Sequence, residues 1–415
     1  MINFEKHILK NGLRVILHED KSTPLAVVNL LYDVGARDES PSKTGFAHLF
    51  EHLMFGGTEQ VPNFDVPIQN AGGDCNAFTN NDITNFYSVV PHENIETALW
   101  LEADRMTSLL INKTSLETQQ KVVVEEFKET CLNRPYGDVW HQLGSMAFEV
   151  HPYQWPTIGR IPEHVENADL EDVTNFFNNY YQPNNAVLVV AGNINFGDAL
   201  QKVKKYFGNI EPGKVPKRNL PKEPIQKQCR KRVNEANVPL DALYLAFHMP
   251  GRGEPNYHAI DLLSDVLANG QSSRLYRKIL KEDNLVSSID CYVTGSYDPG
   301  LLIVEAKPAD GVALETIEAA IWKELNRLKR WNVPKSEFQK IKNKVETTLV
   351  FTEMNITHKA MNLAFYEALG DADLINQEAD KYRILENTDI RKIAKEILVQ
   401  ENCSTLYYKS KPLEN

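Results

Sequence analysis

The chain repeats itself. Residues 24–40 (Pro-Leu-Ala-Val-Val-Asn-Leu-Leu-Tyr-Asp-Val-Gly-Ala-Arg-Asp-Glu-Ser) align with residues 239–255 (Pro-Leu-Asp-Ala-Leu-Tyr-Leu-Ala-Phe-His-Met-Pro-Gly-Arg-Gly-Glu-Pro) at an offset of 215. Each copy reads as an apolar strand, an arginine-bearing loop and then a helix. A 415-residue chain exceeds what one core organises, and the repeat divides it into two versions of one fold. The expected domains are 1–210 and 233–415. Between them, residues 211–232 hold four prolines and a cationic bias, which suits a semi-stiff, solvated linker. Strands alternate with amphipathic helices such as 258–268, which places each half in the α+β class.

Chemistry concentrates in Gly45-Phe-Ala-His-Leu-Phe-Glu-His-Leu-Met-Phe-Gly56. In a helix, residues four apart lie one turn above each other, so His48 and His52 present two imidazoles to one metal ion. Glu51 lies on the same side. Two neutral imidazoles and a carboxylate suit zinc, and a further carboxylate beside the metal suits a general base for water. This is the inverted zincin order, His-x-x-Glu-His. Chance yields roughly 0.02 such pentads in a chain of this composition. A pair of core histidines would also leave Glu51 buried without a partner. At the offset of 215 the second half carries Leu263, Val266 and Leu267, so it keeps the fold without the metal motif.

A catalytic zinc needs a third protein ligand and one open position. Candidates lie in Leu116–Glu129, where Leu116, Val123 and Phe127 mark a helix buried on one side. Glu126 sits on the turn beside that stripe. Glu125 and Glu129 fall on a neighbouring face, where a solvated helix surface is the plainer reading. The remaining nine histidines have no partner at ligand spacing and read as structural or surface residues.

Residues 74–79 and 84–90 flank a turn at Asn80-Asn-Asp82 and read as an antiparallel strand pair, while Asn11-Gly12 marks a hairpin near the N-terminus. An edge strand beside the motif helix would bind an extended peptide through its backbone.

A net charge of −11 argues against nucleic-acid or anionic-membrane surfaces. Five scattered cysteines form no disulfide framework, and there is neither an apolar h-region near Met1 nor a run of 18 apolar residues. A cytoplasmic protein without a membrane span is expected.

The segments Phe46–Thr58, Gly72-Gly-Asp-Cys-Asn-Ala-Phe-Thr79, Val122-Val-Val-Glu-Glu-Phe127, His151-Pro-Tyr153 and Val189-Val-Ala-Gly192 resemble the pitrilysin/insulinase family of zinc peptidases in order and spacing. The likeness covers essentially the whole chain, which looks like the metal-bearing subunit of a bacterial processing-peptidase-like enzyme. It implies two homologous domains, each an antiparallel sheet covered by helices. It implies one zinc per chain, with Glu126 as third ligand beside His48 and His52, and it assigns peptide binding to Asn76, Ala77 and Phe78. Many relatives carry a glutamate where this chain has Gln119. Relatives also supply an arginine and a tyrosine from a second, non-metal domain, and here Lys281 and Ser287 stand at or next to those positions. The resemblance therefore implies a heterodimer with a homologous subunit that lacks His-x-x-Glu-His and carries the Arg/Tyr pair. The alternative is a homodimer using Lys281, Tyr276 or Tyr292. A second functional reading is a structural or chaperone-like relative that hydrolyses nothing.

Overall fold

The computed structural model describes residues 1–411, so the last four residues of the expected second domain lie outside it. Its strands are β1 (Glu5–Ile8), β2 (Arg14–Glu19), β3 (Leu25–Tyr32), β4 (Asp74–Thr79), β5 (Thr84–Pro91), β6 (Ala186–Gly192), β7 (Arg230–Ala236), β8 (Ala242–Met249), β9 (Val286–Val293), β10 (Gly300–Pro308) and β11 (Cys403–Ser410). They form two sheets, ordered β1-β2-β6-β3-β5-β4 and β7-β11-β8-β10-β9 among the described residues. Pairing is antiparallel except for β2 with β6 and β7 with β11, so each sheet contains one parallel pair. The Asn11-Gly12 hairpin is present, with Gly12 at φ +85°.

Two compact units result, and neither is continuous in sequence. One comprises Met1–Glu129, Trp155–Leu220 and Val350–Gln377; the other comprises Thr130–Gln154, Pro221–Leu349 and the chain from Glu378 onward. The expected boundary at 211–232 therefore misses a reciprocal exchange of two segments. The reason lies in the sheets. β3, β6 and β8 are apolar along almost their whole length, so both faces of each sheet need cover.

In the first unit Val28, Leu30 and Tyr32 pack on one face with the helices Phe46–Phe55 and Ile95–Ser108. Strand alternation turns Val27 and Leu31 to the other face, where the helix Ile356–Leu369 from the far half of the chain lies on β3 and β6. The second unit mirrors this arrangement. Helices Tyr257–Leu267 and Leu314–Arg330 cover Leu243, Leu245 and Phe247. The early helix Val139–Ala147 covers Ala242, Tyr244, Leu406 and Tyr408 on the opposite face.

The proline-rich segment carries neither helix nor strand over residues 211–229, and the last three residues of the expected linker belong to β7. It is pinned rather than freely solvated. Arg218 reaches Asp33 and Asp38 in the first unit, with Nε 2.7 Å from the Asp38 carboxylate. In the second unit the Glu223 carboxylate accepts the N–H groups of Glu149, Val150 and His151. No helix among the described residues is long and apolar enough to cross a membrane.

Candidate metal centre

The motif helix Phe46–Phe55 begins at a sharp turn that only glycine adopts without strain. Gly45 has φ +88°, and a Cβ there would lie 2.8 Å from the Ile158 carbonyl oxygen. No local side chain caps the helix; Glu39 does so from outside it. Its carboxylate accepts the N–H groups of Gly45 and Ala47, each at 2.9 Å, and the indole N–H of Trp155 at 3.2 Å. Complete burial pushes the Glu39 carboxyl up to about 8, against the pull of these donors. The helix buries Leu49, Phe50, Leu53 and Met54 in the core. His48, Glu51 and His52 remain half-buried on the side that faces away.

The partner helix Lys113–Phe127 starts at Asn112, whose side chain accepts the Ser115 N–H in a reciprocal cap. Leu116, Val123, Val124 and Phe127 are buried, and the helix packs against the motif helix. This brings the Glu126 carboxylate to 3.3 Å from His52 Nε2 and 3.8 Å from His48 Nε2. All three ligand-type atoms lie within 4.8 Å of one another, and no other such group of His, Cys, Asp and Glu exists among the described residues. Ligands at zinc bond lengths in tetrahedral geometry stand roughly 3.3–3.6 Å apart, so the donor set fits that ion. Glu126 is 38% exposed, which leaves one side of the cluster open to water.

Glu129 does not join the cluster. The α-helix ends at Phe127 and the chain winds on as a π-helix over Lys128–Asn133. The wider turn changes the angular position of every residue past Phe127. The Gln119 amide comes to the C-terminal end of the motif helix, where a Cβ on Gly56 would lie 3.7 Å from Gln119 Nε2.

The electrostatics favour the forms that bind a cation. A hydrogen bond with His52, helped by the His48 charge, holds the Glu126 carboxyl below its ordinary value against partial burial. Burial lowers His48 against the pull of the Glu126 carboxylate. The two imidazoles meet edge to face, with centroids 4.8 Å apart. His48 Nδ1 is buried without a hydrogen-bond partner, so no acceptor fixes its tautomer.

β4 is an outermost strand of the first sheet and packs against the motif helix. Asp74, Asn76 and Phe78 are exposed, while Cys75, Ala77 and Thr79 turn toward the core. The expected pair 74–79 and 84–90 is thus present, and it leaves a free backbone edge beside the histidines.

Among its described residues the second half lacks the cluster. Its equivalent helix, Tyr257–Leu267, starts after Asn256 at φ +71°, as the motif helix starts after Gly45. Matching these two starts gives an offset of 256 − 45 = 211, four less than in the strands, because the intervening loop is four residues shorter. The counterparts of His48, Glu51 and His52 are then Ala259, Leu262 and Leu263, all buried, rather than Leu263, Val266 and Leu267. Lys281 lies in a π-helical segment with its ammonium 5.6 Å from the Tyr276 ring centre, and Ser287 is exposed near the start of β9.

Sequence reasoning missed Glu39. Its six-residue separation from Gly45 carries no periodic signal, and its link to Trp155 spans 116 residues.

Residues 14–159 match the family model described as insulinase, peptidase family M16, and residues 167–345 match the model described as the M16 inactive domain. The chain belongs to the M16 family. It is 28% identical to the zinc protease PqqE of Helicobacter pylori over 412 residues, covering 98% of this chain and 92% of the relative. The crystal structure of a protease from Helicobacter pylori superposes with a TM-score of 0.93 at 28% identity, over 99% of this chain and all of that one. Identity to the mitochondrial-processing peptidase subunit beta of Saccharomyces cerevisiae is 24%, covering 83% of this chain and 77% of the relative. The three ligand-type side chains all lie within the residues that match the insulinase model, and among the described residues no such group lies in the stretch that matches the inactive-domain model.

Proposed function

We propose that this M16 chain is a zinc endopeptidase acting on peptides or unfolded segments that bind as an added strand on β4. The observation that carries this reading is the convergence of His48, His52 and Glu126 within 4.8 Å beside an open sheet edge. A bound zinc ion supplies Lewis-acid polarisation of a carbonyl and a lowered pKa for water. Glu51, on the same helix face as both histidines, takes the proton of the attacking water and delivers it to the departing amine nitrogen. β4 offers the outward backbone groups of Ala77 to the peptide, with Asn76 and Phe78 flanking them. Recognition of this kind reads backbone more than sequence.

The oxyanion that forms needs donors besides the metal, each worth about 10²–10³ in rate. Lys281 and Ser287 do not reproduce an Arg/Tyr pair: lysine lacks the planar fork and serine is short. A homologous subunit carrying that pair is therefore the partner this reading requires. The similarity to a processing-peptidase beta subunit supports it.

The test is Glu51→Gln, which preserves shape and removes the base. Metal analysis should find one zinc per chain in both forms, while peptide hydrolysis falls by about 10²–10⁴. Near-normal turnover in Glu51→Gln would reassign the base. A wild-type chain that holds no zinc after reconstitution would point to a non-catalytic relative.

A further inference from the structure

The two sheets leave equivalent strands open, and both strands carry the same local device. β4 lies outermost beside β5, and β9 lies outermost beside β10. On β4, Asn76 Oδ1 accepts the N–H of the next residue, Ala77, at 2.8 Å. On β9, Asp290 Oδ1 accepts the N–H of the next residue, Cys291, at 2.7 Å. The pairs stand 290 − 76 = 214 residues apart at matching places in their ladders, Asn76 opposite Tyr87 and Asp290 opposite Glu305. In an antiparallel ladder alternate residues turn their N–H away from the neighbour, and on an edge strand those groups face outward. Ala77 and Cys291 hold such amides, and each is satisfied by the side chain before it. Unpaired edge amides template pairing with any extended chain, so a side-chain cap is a protective feature.

The caps differ in strength. Asn76 accepts as a neutral amide, whereas Asp290 accepts as a carboxylate, and charge-assisted hydrogen bonds are roughly twice as strong as neutral ones. We propose that Asn76 is a displaceable guard on the peptide-binding edge, holding the Ala77 N–H until the backbone carbonyl of an extended peptide takes it over. Asp290 is the non-displaceable version, which keeps β9 closed. Asn76 thus sets peptide affinity by competing with the substrate for one hydrogen. This rests on the reading of β4 as the peptide strand given above.

The experiment uses the zinc-loaded full chain carrying Glu51→Gln, so that peptide binds without turnover, and an uncharged, unstructured peptide as probe. Calorimetry compares Asn76, Asn76→Ala and Asn76→Asp in that background. The Ala variant should bind about two- to tenfold more tightly, the range of one net hydrogen bond, and the Asp variant should bind more weakly. Hydrogen exchange gives an independent readout. The β4 amides of free Asn76→Ala and the β9 amides of free Asp290→Ala should exchange faster, and Asp290→Ala should leave peptide affinity unchanged. Equal or weaker binding by Asn76→Ala, with wild-type binding intact, overturns the guard and makes Asn76 an ordinary contact. Absence of peptide binding in all three forms overturns the peptide-strand reading itself.

Discussion

Changing Glu126 to Gln separates the metal role proposed for this residue from any role in holding the fold. The carboxylate meets two imidazole nitrogens at 3.3 and 3.8 Å but is 38% exposed. Without metal, an ion pair so open to solvent contributes about 0–1 kcal/mol, so the metal-free variant should melt within a few degrees of wild type. The metal-bound state differs. Second-shell changes already cost about 10–100-fold in affinity, and loss of a charged first ligand should cost at least 100-fold. With zinc buffered at about 1,000 times the wild-type dissociation constant, binding stabilises wild type by about 4.1 kcal/mol. A 100-fold weaker site retains about 1.4 kcal/mol under the same conditions. At about 2–4 °C per kcal/mol for a unit of this size, the zinc-induced rise in Tm should shrink from roughly 8–16 °C to roughly 3–6 °C. Thermal unfolding in zinc buffers measures this directly, with Glu129→Gln as the matched control. The reasoning is refuted if Glu126→Gln keeps the full rise while Glu129→Gln loses it.

Three further outcomes follow from the structure. A pure preparation of this polypeptide should hydrolyse unstructured peptides poorly and gain activity on addition of a homologous subunit bearing the Arg/Tyr pair; full activity alone would support the homodimer. Gly45→Ala should lower stability by about 1–2 kcal/mol from its left-handed backbone, with more added by contact with the Ile158 carbonyl, readable in denaturant unfolding. Glu378 is held down to about 2: burial opposes ionisation, but the His258 hydrogen bond and the Arg252 and Lys381 charges outweigh it. A depressed carboxyl contributes stability that is present above its unfolded pKa and lost as pH falls toward its folded one. Wild type should therefore lose on the order of 3 kcal/mol between pH 4.5 and 2 that Glu378→Gln does not, as measured by acid unfolding of both proteins.

Much of the candidate site is local and was therefore legible in the chain. A 3.6-residue period places His48, Glu51 and His52 on one side of a helix whatever surrounds it, and strand alternation around Asn80–Asp82 marks the β4–β5 hairpin. The repeat likewise showed two related halves. Tertiary structure decided what depends on distant partners. The sequence offered Glu125, Glu126 and Glu129 on one helix; the packing of two helices and the π-helical turn after Phe127 brought only Glu126 to the histidines. The Glu39 cap joins residues that no local period relates. The exchange of 130–154 and 350–377 was invisible because an amphipathic helix records that it has an apolar face, not which sheet will cover it.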